Sequence, residues 1–300
     1  MTSRTRQALA IGTMLGITGV AAVRPIGAAA DPVNRTVFVT VTDSKGAPVS
    51  DLTAANFKVK EGGKDREIVK AEPAKTLPRL ALMVEERLAP DQGARVGLFE
   101  FVKRMNGAAE ISLITVGLRN TTMVPFVTDP NTLLKGINEL SLNSQPTSNL
   151  TEGINDMARI FEKDRPERPV MVVVGFSGGQ AGGASASSIL TQIRQSGVTM
   201  YAVTYGAPEA NGGGTLGSMT DESGREQVLG DGAKQSGGRR FDVVTTNAIP
   251  KALQQVADDL AAQYAITYAL PDGVKMDKRF NVSTDRKGVS LRAPMAIRDK

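Results

Sequence analysis

The run Pro169-Val-Met-Val-Val-Val-Gly-Phe-Ser-Gly-Gly179 constrains this chain more than any other stretch. Its first half, PVMVVV, is apolar without interruption, so a strand built from it must be covered on both faces. The strand empties into a glycine loop with one hydroxyl, Ser177, at its mouth. Two chemistries fit that arrangement. Gly175-Phe176-Ser177-Gly178-Gly179 matches the G-x-S-x-G elbow of a serine hydrolase. Equally, the C-terminal end of a buried parallel strand marks a binding crevice.

Composition separates the two. The chain contains no His and no Cys. That removes Cys/His zinc sites, disulfides, thiol nucleophiles and imidazole bases. A Ser hydroxyl needs a neighbouring base to attack near neutral pH. No S-x-x-K stands at the elbow, and Gly178 to Gly183 separates Ser177 from the next helix. A hydrolase using Ser177 is therefore the alternative reading, without its base. Gly212 to Gly217 fits G-x-G-x-x-G, but it lies several residues after its strand and opens no clear helix, which reads as a loop. Residues 178–183 hold no Gly-Lys-Ser/Thr and so form no P-loop.

Arg4 and Arg6, the apolar run Ala8 to Val23, and Ala28-Ala29-Ala30 before Asp31 read as a cleavable export signal over residues 1–30. The apolar run is shorter than the ~20 residues of a membrane span, so a soluble periplasmic or secreted product with no membrane span is expected. Without Arg4, Arg6 and Arg24 the chain keeps 33 basic side chains against 31 acidic ones. The pI near 9.4 is then no nucleic-acid footprint, since no dense basic stripe remains. Arg239-Arg240 reads as a solvated turn. Aromatic residues make up only 4 % and Trp is absent, which argues against a groove that stacks bases or sugars.

Residues 31–76 alternate as short strands: Thr36 to Thr42, Phe57 to Lys60 and Arg66 to Lys70. Three short strands bury too little to stand alone. From residue 77 to 262 apolar strands alternate with helical periodicities, which predicts a doubly wound, mostly parallel α/β sheet. Pro125 places the Thr122–Val127 strand at a sheet edge. Asp129-Pro130 starts one helix. Asn149, with Glu152 in a capping box, starts another, and Asn247 caps the last. Residues 206–222 read as a Gly-rich loop, and Glu226 to Lys234 as a weak helix broken by Gly230 and Gly232. Residues 263–300 return to β structure and are expected to pair with 31–76 in one small β module.

Several segments carry a resemblance. Val39-Thr-Val-Thr-Asp43 with Lys45-Gly-Ala-Pro-Val49, Leu80 to Glu85, Ser148-Asn-Leu-Thr-Glu-Gly-Ile154, Ser236-Gly-Gly-Arg239 with Phe241, and Gln263-Tyr264 with Tyr268 come in a telling order. Together they resemble von Willebrand factor type A domains, in particular exported relatives found in Acidobacteria. The resemblance implies a protein-binding role and a metal-ion-dependent adhesion site for Mg²⁺ or Mn²⁺. Such a site uses D-x-S-x-S, a Thr and a further Asp, because a hard divalent ion wants charged oxygen ligands.

On that pattern the first Asp falls on Glu85, or on Glu86 one residue later. The Ser positions fall on Arg87 and Ala89, or on Leu88 and Pro90. The Thr falls on Ser148 and the last Asp on Ser177. One carboxylate with neutral hydroxyls and a nearby Arg makes a poor Mg²⁺ site. The expectation is a degenerate, metal-free site with no cofactor, in which the Arg87 guanidinium supplies positive charge near Glu85 or Glu86. The protein partner would be met by Glu85, Glu86, Arg87, Ala89, Ser148, Asn149, Ser177 and Gly178. An adhesion or scaffold role without catalysis follows, with a structural envelope protein as the other alternative.

Overall fold

A computed structural model describes residues 33–86, 92–140, 148–176, 183–206, 216–270 and 279–298. The export signal, Arg87, Ala89, Ser177 and Gly178 lie outside them. Along the chain run β1 (Val33–Asp43), β2 (Phe57–Glu61), β3 (Lys64–Arg66), β4 (Ile68–Pro73), β5 (Arg79–Glu85), α1 (Gln92–Met105), β6 (Glu110–Val116) and β7 (Asn120–Val127). Then come α2 (Pro130–Asn138), α3 (Leu150–Asp164), β8 (Pro169–Phe176), α4 (Ala186–Ser196), β9 (Thr199–Tyr205), α5 (Leu216–Gln235), β10 (Arg239–Val243) and α6 (Ile249–Ala261). The chain closes with β11 (Gln263–Leu270), β12 (Phe280–Thr284) and β13 (Val289–Arg292).

The central sheet has the order β10-β9-β8-β5-β6-β7, parallel except for β7. The antiparallel strand is the one carrying Pro125, and it sits at the edge, where a missing N–H costs no ladder bond. Alternation along β5 feeds two cores. Leu80, Leu82 and Val84 pack with Leu98 and Phe101 of α1, Ile137 of α2 and Val256 of α6. Ala81 and Met83 pack with Ile154 and Phe161 of α3, Ile193 of α4 and Val228 of α5. The uninterrupted PVMVVV run is thereby covered on both faces, as its composition requires.

The two chain ends do pair. In the sheet β13-β1-β11-β4, β1 runs antiparallel to β11, with Val37 opposite Ile266 and Val39 opposite Tyr264. A three-stranded sheet, β12-β2-β3, joins Phe280 and Val282 to Phe57 and Val59 in the same third core. The alternating valines of β1 supply that core, while Thr36 and Thr267 face solvent and hydrogen-bond at 2.9 Å.

Several local expectations are corrected. The segment read as one strand from Arg66 to Lys70 is split between β3 and β4, which belong to different sheets. The helix read as broken at Gly230 and Gly232 is continuous over α5 and begins inside the presumed 206–222 loop. Tertiary packing overrides propensity here: a Cβ at Gly232 would stand 3.1 Å from Ile193 Cδ1 and 3.3 Å from Met200 Sδ. The glycine lets α5 lie close on α4 and β9. The end of the G-x-G-x-x-G stretch, Leu216-Gly217, opens that helix, whereas 212–215 lie outside the described residues.

Asn149 precedes α3 but makes no side-chain cap. Its Nδ2 donates instead to Leu118 O at 3.1 Å, and Glu152 takes Asn155 Nδ2 and the Ala184 N–H. Asn247 lies within a short 3-10 turn, and α6 starts after Ala248 with Pro250 in its first turn. Asp129 does cap α2, accepting from the N–H of Asn131 and of Thr132. Arg239 and Arg240 are no solvated turn: they form the start of β10, where Arg239 pairs with Asp259 at 2.9 Å and Arg240 with Glu226 and Asp242.

Candidate functional site

The chain runs from β5 to its neighbour β6 on one side, then crosses to β8 on the other. Such a reversal opens a crevice at the C-terminal ends of the strands. Glu85, the last residue of β5, stands there and is 0 % exposed. A lone carboxylate buried this deeply is costly unless it is paired and hydrogen-bonded.

Arg225 and Ser148, among the described residues, both meet it. Arg225 on α5, also 0 % exposed, donates from Nη1 to Oε1 at 3.0 Å and from Nη2 to Oε2 at 2.8 Å. This is the bidentate fork that a guanidinium makes with a carboxylate. Ser148, on the approach to α3 and likewise buried, donates its hydroxyl to Glu85 Oε1. Gly175 on β8 leaves the room: a Cβ there would lie 2.8 Å from Glu85 Oε2, 3.1 Å from Leu150 Cδ2 and 3.4 Å from Arg225 Nη2. Any side chain at this position would push into the pair, so the glycine of the opening stretch serves β8 and Glu85 before it serves any elbow.

Around this buried centre the edge is surfaced by other groups. Glu86 is half-buried; its N–H donates to Val116 O, and its carboxylate fills the space that a side chain at Gly117 would need. Asn149 bridges to Gly117 O and Leu118 O, which ties the α3 entrance to the loop after β6. Leu118 is 61 % exposed and Val244, just past β10, is 77 % exposed. Beside Arg225 a cavity of about 110 Å³ is lined by Thr151, Gly183, Ser185, Asp221 and Gly224. That is well below the ~300–1,000 Å³ of pockets that hold small organic ligands.

Of the residues expected to form the site, the structure brings Glu85 and Ser148 together and places Glu86 and Asn149 beside them. Glu85 and Ser148 are closed off from solvent, so neither can touch a partner directly. Arg225, 140 residues along the chain, brings a guanidinium to Glu85; the expected Arg87 is among the residues not described. Sequence reading missed Arg225, although the signal was there. Arg225, Val228, Leu229, Gly232 and Ala233 recur at helical spacing, and all are buried. An arginine on that stripe must find a carboxylate inside the fold.

Among the described residues the donor set fits Mg²⁺ or Mn²⁺ poorly. Both Glu85 oxygens already accept from a fixed cation, and Ser148 adds only a neutral hydroxyl. Among the described residues no group of three His, Cys, Asp or Glu side chains could hold a metal ion. No helix among them is long and apolar enough to cross a membrane.

A family model described as von Willebrand factor type A domain matches residues 96–255. Proximal thread matrix protein 1 from the mussel byssus superposes with a TM-score of 0.50 at 15 % identity, covering 67 % of this chain and 50 % of that one. This chain thus spans about half the length of that protein. BatB from Bacteroides thetaiotaomicron gives 0.43 at 15 % identity, over 61 % of this chain and 98 % of the other. An aerotolerance-related membrane protein from Bacteroides fragilis NCTC 9343 gives 0.45 at 18 %, over 61 % and 99 %. Among curated proteins nothing matches. At 15 % identity the likeness to the thread matrix protein speaks for the fold alone.

Proposed function

The chain belongs to the von Willebrand factor type A domain family, and on that premise we propose that it is an exported, non-catalytic protein-interaction module that works without a bound metal. One observation carries the reading: the Arg225 guanidinium, wholly buried, already balances the charge of Glu85. A fixed cation on the fold does not exchange with solvent, and it already engages both Glu85 oxygens. A partner carboxylate therefore gains nothing at this point, and recognition falls to the groups that reach the surface. Glu86, Asn149, Leu118 and Val244 offer a mixed polar and apolar edge of the kind protein partners cover. The 77–262 core supplies this edge, and the β module from both chain ends serves as its base.

Melting the purified mature chain with and without millimolar Mg²⁺ or Mn²⁺ tests the metal-free reading. The midpoint should not move. A site filled to a hundred times its dissociation constant would add about 2.7 kcal/mol, an unmistakable rise, and such a rise sinks the proposal. A fluorophosphonate probe should leave Ser177 unlabelled; stoichiometric labelling would revive the hydrolase alternative.

Export is tested by intact mass. Protein recovered outside the cytoplasm should begin at Asp31, after the Ala28-Ala29-Ala30 site. Recovery of the uncut chain from the cytoplasm would overturn it. Cross-linking in the native envelope should capture a discrete partner through the Leu118–Asn149 edge. Self-association alone would favour a structural envelope protein.

A further inference from the structure

Far along the chain from Glu85, three strand edges converge on one groove of about 390 Å³. β10 is an outer strand of the central sheet, β12 of the three-stranded sheet and β13 of the four-stranded sheet. Among the described residues no strand pairs with any of these outer edges. β12 and β13 follow each other through residues 285–288, so a hairpin would be the simplest outcome. They join different sheets instead and leave the groove between them. Arg239 and Arg240 of β10, Phe280 to Val282 of β12, and Leu291 with Arg292 of β13 all line it.

The chemistry of the walls is one-sided. Lys234, Arg239, Arg240 and Arg292 line the groove, and none of the described residues that line it is acidic. Arg240 meets two carboxylates, Glu226 and Asp242, so the β10 end of the groove carries one negative charge in excess. Arg239 and Arg292, however, share a single carboxylate, Asp259, which is 1 % exposed and sits behind them. One positive charge is left over at the Arg239–Arg292 end, away from the Glu226 and Asp242 carboxylates, and the exposed Lys234 leaves the groove with one net positive charge. The floor is apolar, from Phe280, Val282, Leu291 and Met295.

Unpaired strand edges seek another strand, and natural proteins usually blunt or cover them. An extended peptide can add to such an edge through its backbone, while alternate side chains choose the sequence. We propose that this groove receives an extended, acidic segment of a separate protein partner, which adds as a strand between β12 and β13 with its carboxylates toward Lys234, Arg239 and Arg292. The chain's own N-terminal segment is the wrong occupant by charge: residues 1–31 carry Arg4, Arg6 and Arg24 against only Asp31. A nucleic acid would meet the cations but cannot complete a β ladder. This surface is separate from the Glu85 edge and stands or falls independently of the function proposed there.

Fluorescence anisotropy on the full mature chain tests it, with a labelled short peptide of alternating Glu and Val as probe. Saturable binding that weakens as salt rises is expected. Lys234→Glu reverses an exposed charge at the end of α5 and should weaken the probe about ten-fold or more. A Lys–Val peptide should not bind. A Glu–Val peptide with Pro at alternate positions, which keeps most of the charge but loses backbone donors, should bind far less.

Absence of binding by the Glu–Val probe overturns the proposal, as does equal binding by the Lys–Val probe. Full binding by the proline-containing probe removes strand addition. Displacement by single-stranded DNA of matched charge at equal potency would show charge alone at work and would also overturn it.

Discussion

Arg225→Met should cost about 3–5 kcal/mol of folding stability, the range seen when one partner of a buried ion pair is removed. Glu85 would lose its bidentate guanidinium in a position fully closed to solvent. Arg225→Lys should recover part of the loss, because an ammonium restores the charge and lacks the fork that reaches both carboxylate oxygens. The informative variant is the double change Glu85→Leu with Arg225→Met. Replacing both charges with apolar groups of similar size is often neutral or stabilising. The pair should therefore be far more stable than Arg225→Met alone. Urea unfolding of the parent, Glu85→Leu, Arg225→Met and the double variant gives the coupling energy directly. A coupling near zero would mean that Arg225 is not the counter-charge of Glu85. The metal-free reading of the site would lose its support with it.

The same residues show what sequence reasoning could and could not reach. The covering of PVMVVV on both faces, the edge position of the Pro125 strand and the Asp129 cap follow from local pattern and short-range chemistry, and each needs only a residue's neighbours in sequence. The pairing of the chain ends, over 220 residues apart, followed instead from three short strands that bury too little alone. The failures share a different cause. Gly232 weakens a helix in isolation, yet here it permits contact with Ile193 and Met200, which lie on other elements. Asn149 has the composition of a helix cap but spends its side chain on Leu118 O, across the sheet edge. Gly238 is small because β9 crosses it so closely that a Cβ would strike Met200 O.

The site divides along the same line. Glu85 and Ser148 were legible as positions because they stand at fixed places in resembling segments. Their joint burial was not, because it depends on a cation from a helix 140 residues away. By the resemblance, a neutral Ser177 falls where the adhesion pattern has an Asp. That a guanidinium meets Glu85 becomes legible only when Arg225 is placed on the buried stripe of α5.

Arg168→Met should also destabilise strongly, by about 3 kcal/mol or more, because it strands several buried acceptors at once. The Arg168 side chain precedes β8 and is 6 % exposed. Nε donates to Gln263 Oε1 at 2.9 Å, Nη1 to Thr76 O at 2.8 Å and Nη2 to Leu260 O at 2.7 Å. The guanidinium also lies 5.4 Å from the Phe38 ring. Burial lowers its pKa to about 10, so it stays protonated across the physiological range. One side chain thus links the entrance of the central sheet, the end of α6, and strands β1 and β11 of the terminal β module.

Met fills similar volume and donates nothing, leaving two carbonyls and one amide oxygen without their partner. Arg168→Lys should restore only part of the stability, since one ammonium cannot span three acceptors that a planar fork reaches together. The loss should fall first on the β module, so limited proteolysis should cut β1 or β11 in the variant under conditions where the parent resists. Unfolding of Arg168→Met at the same denaturant midpoint as the parent, with β1 still protected, would show that the module holds to the α/β sheet without this staple.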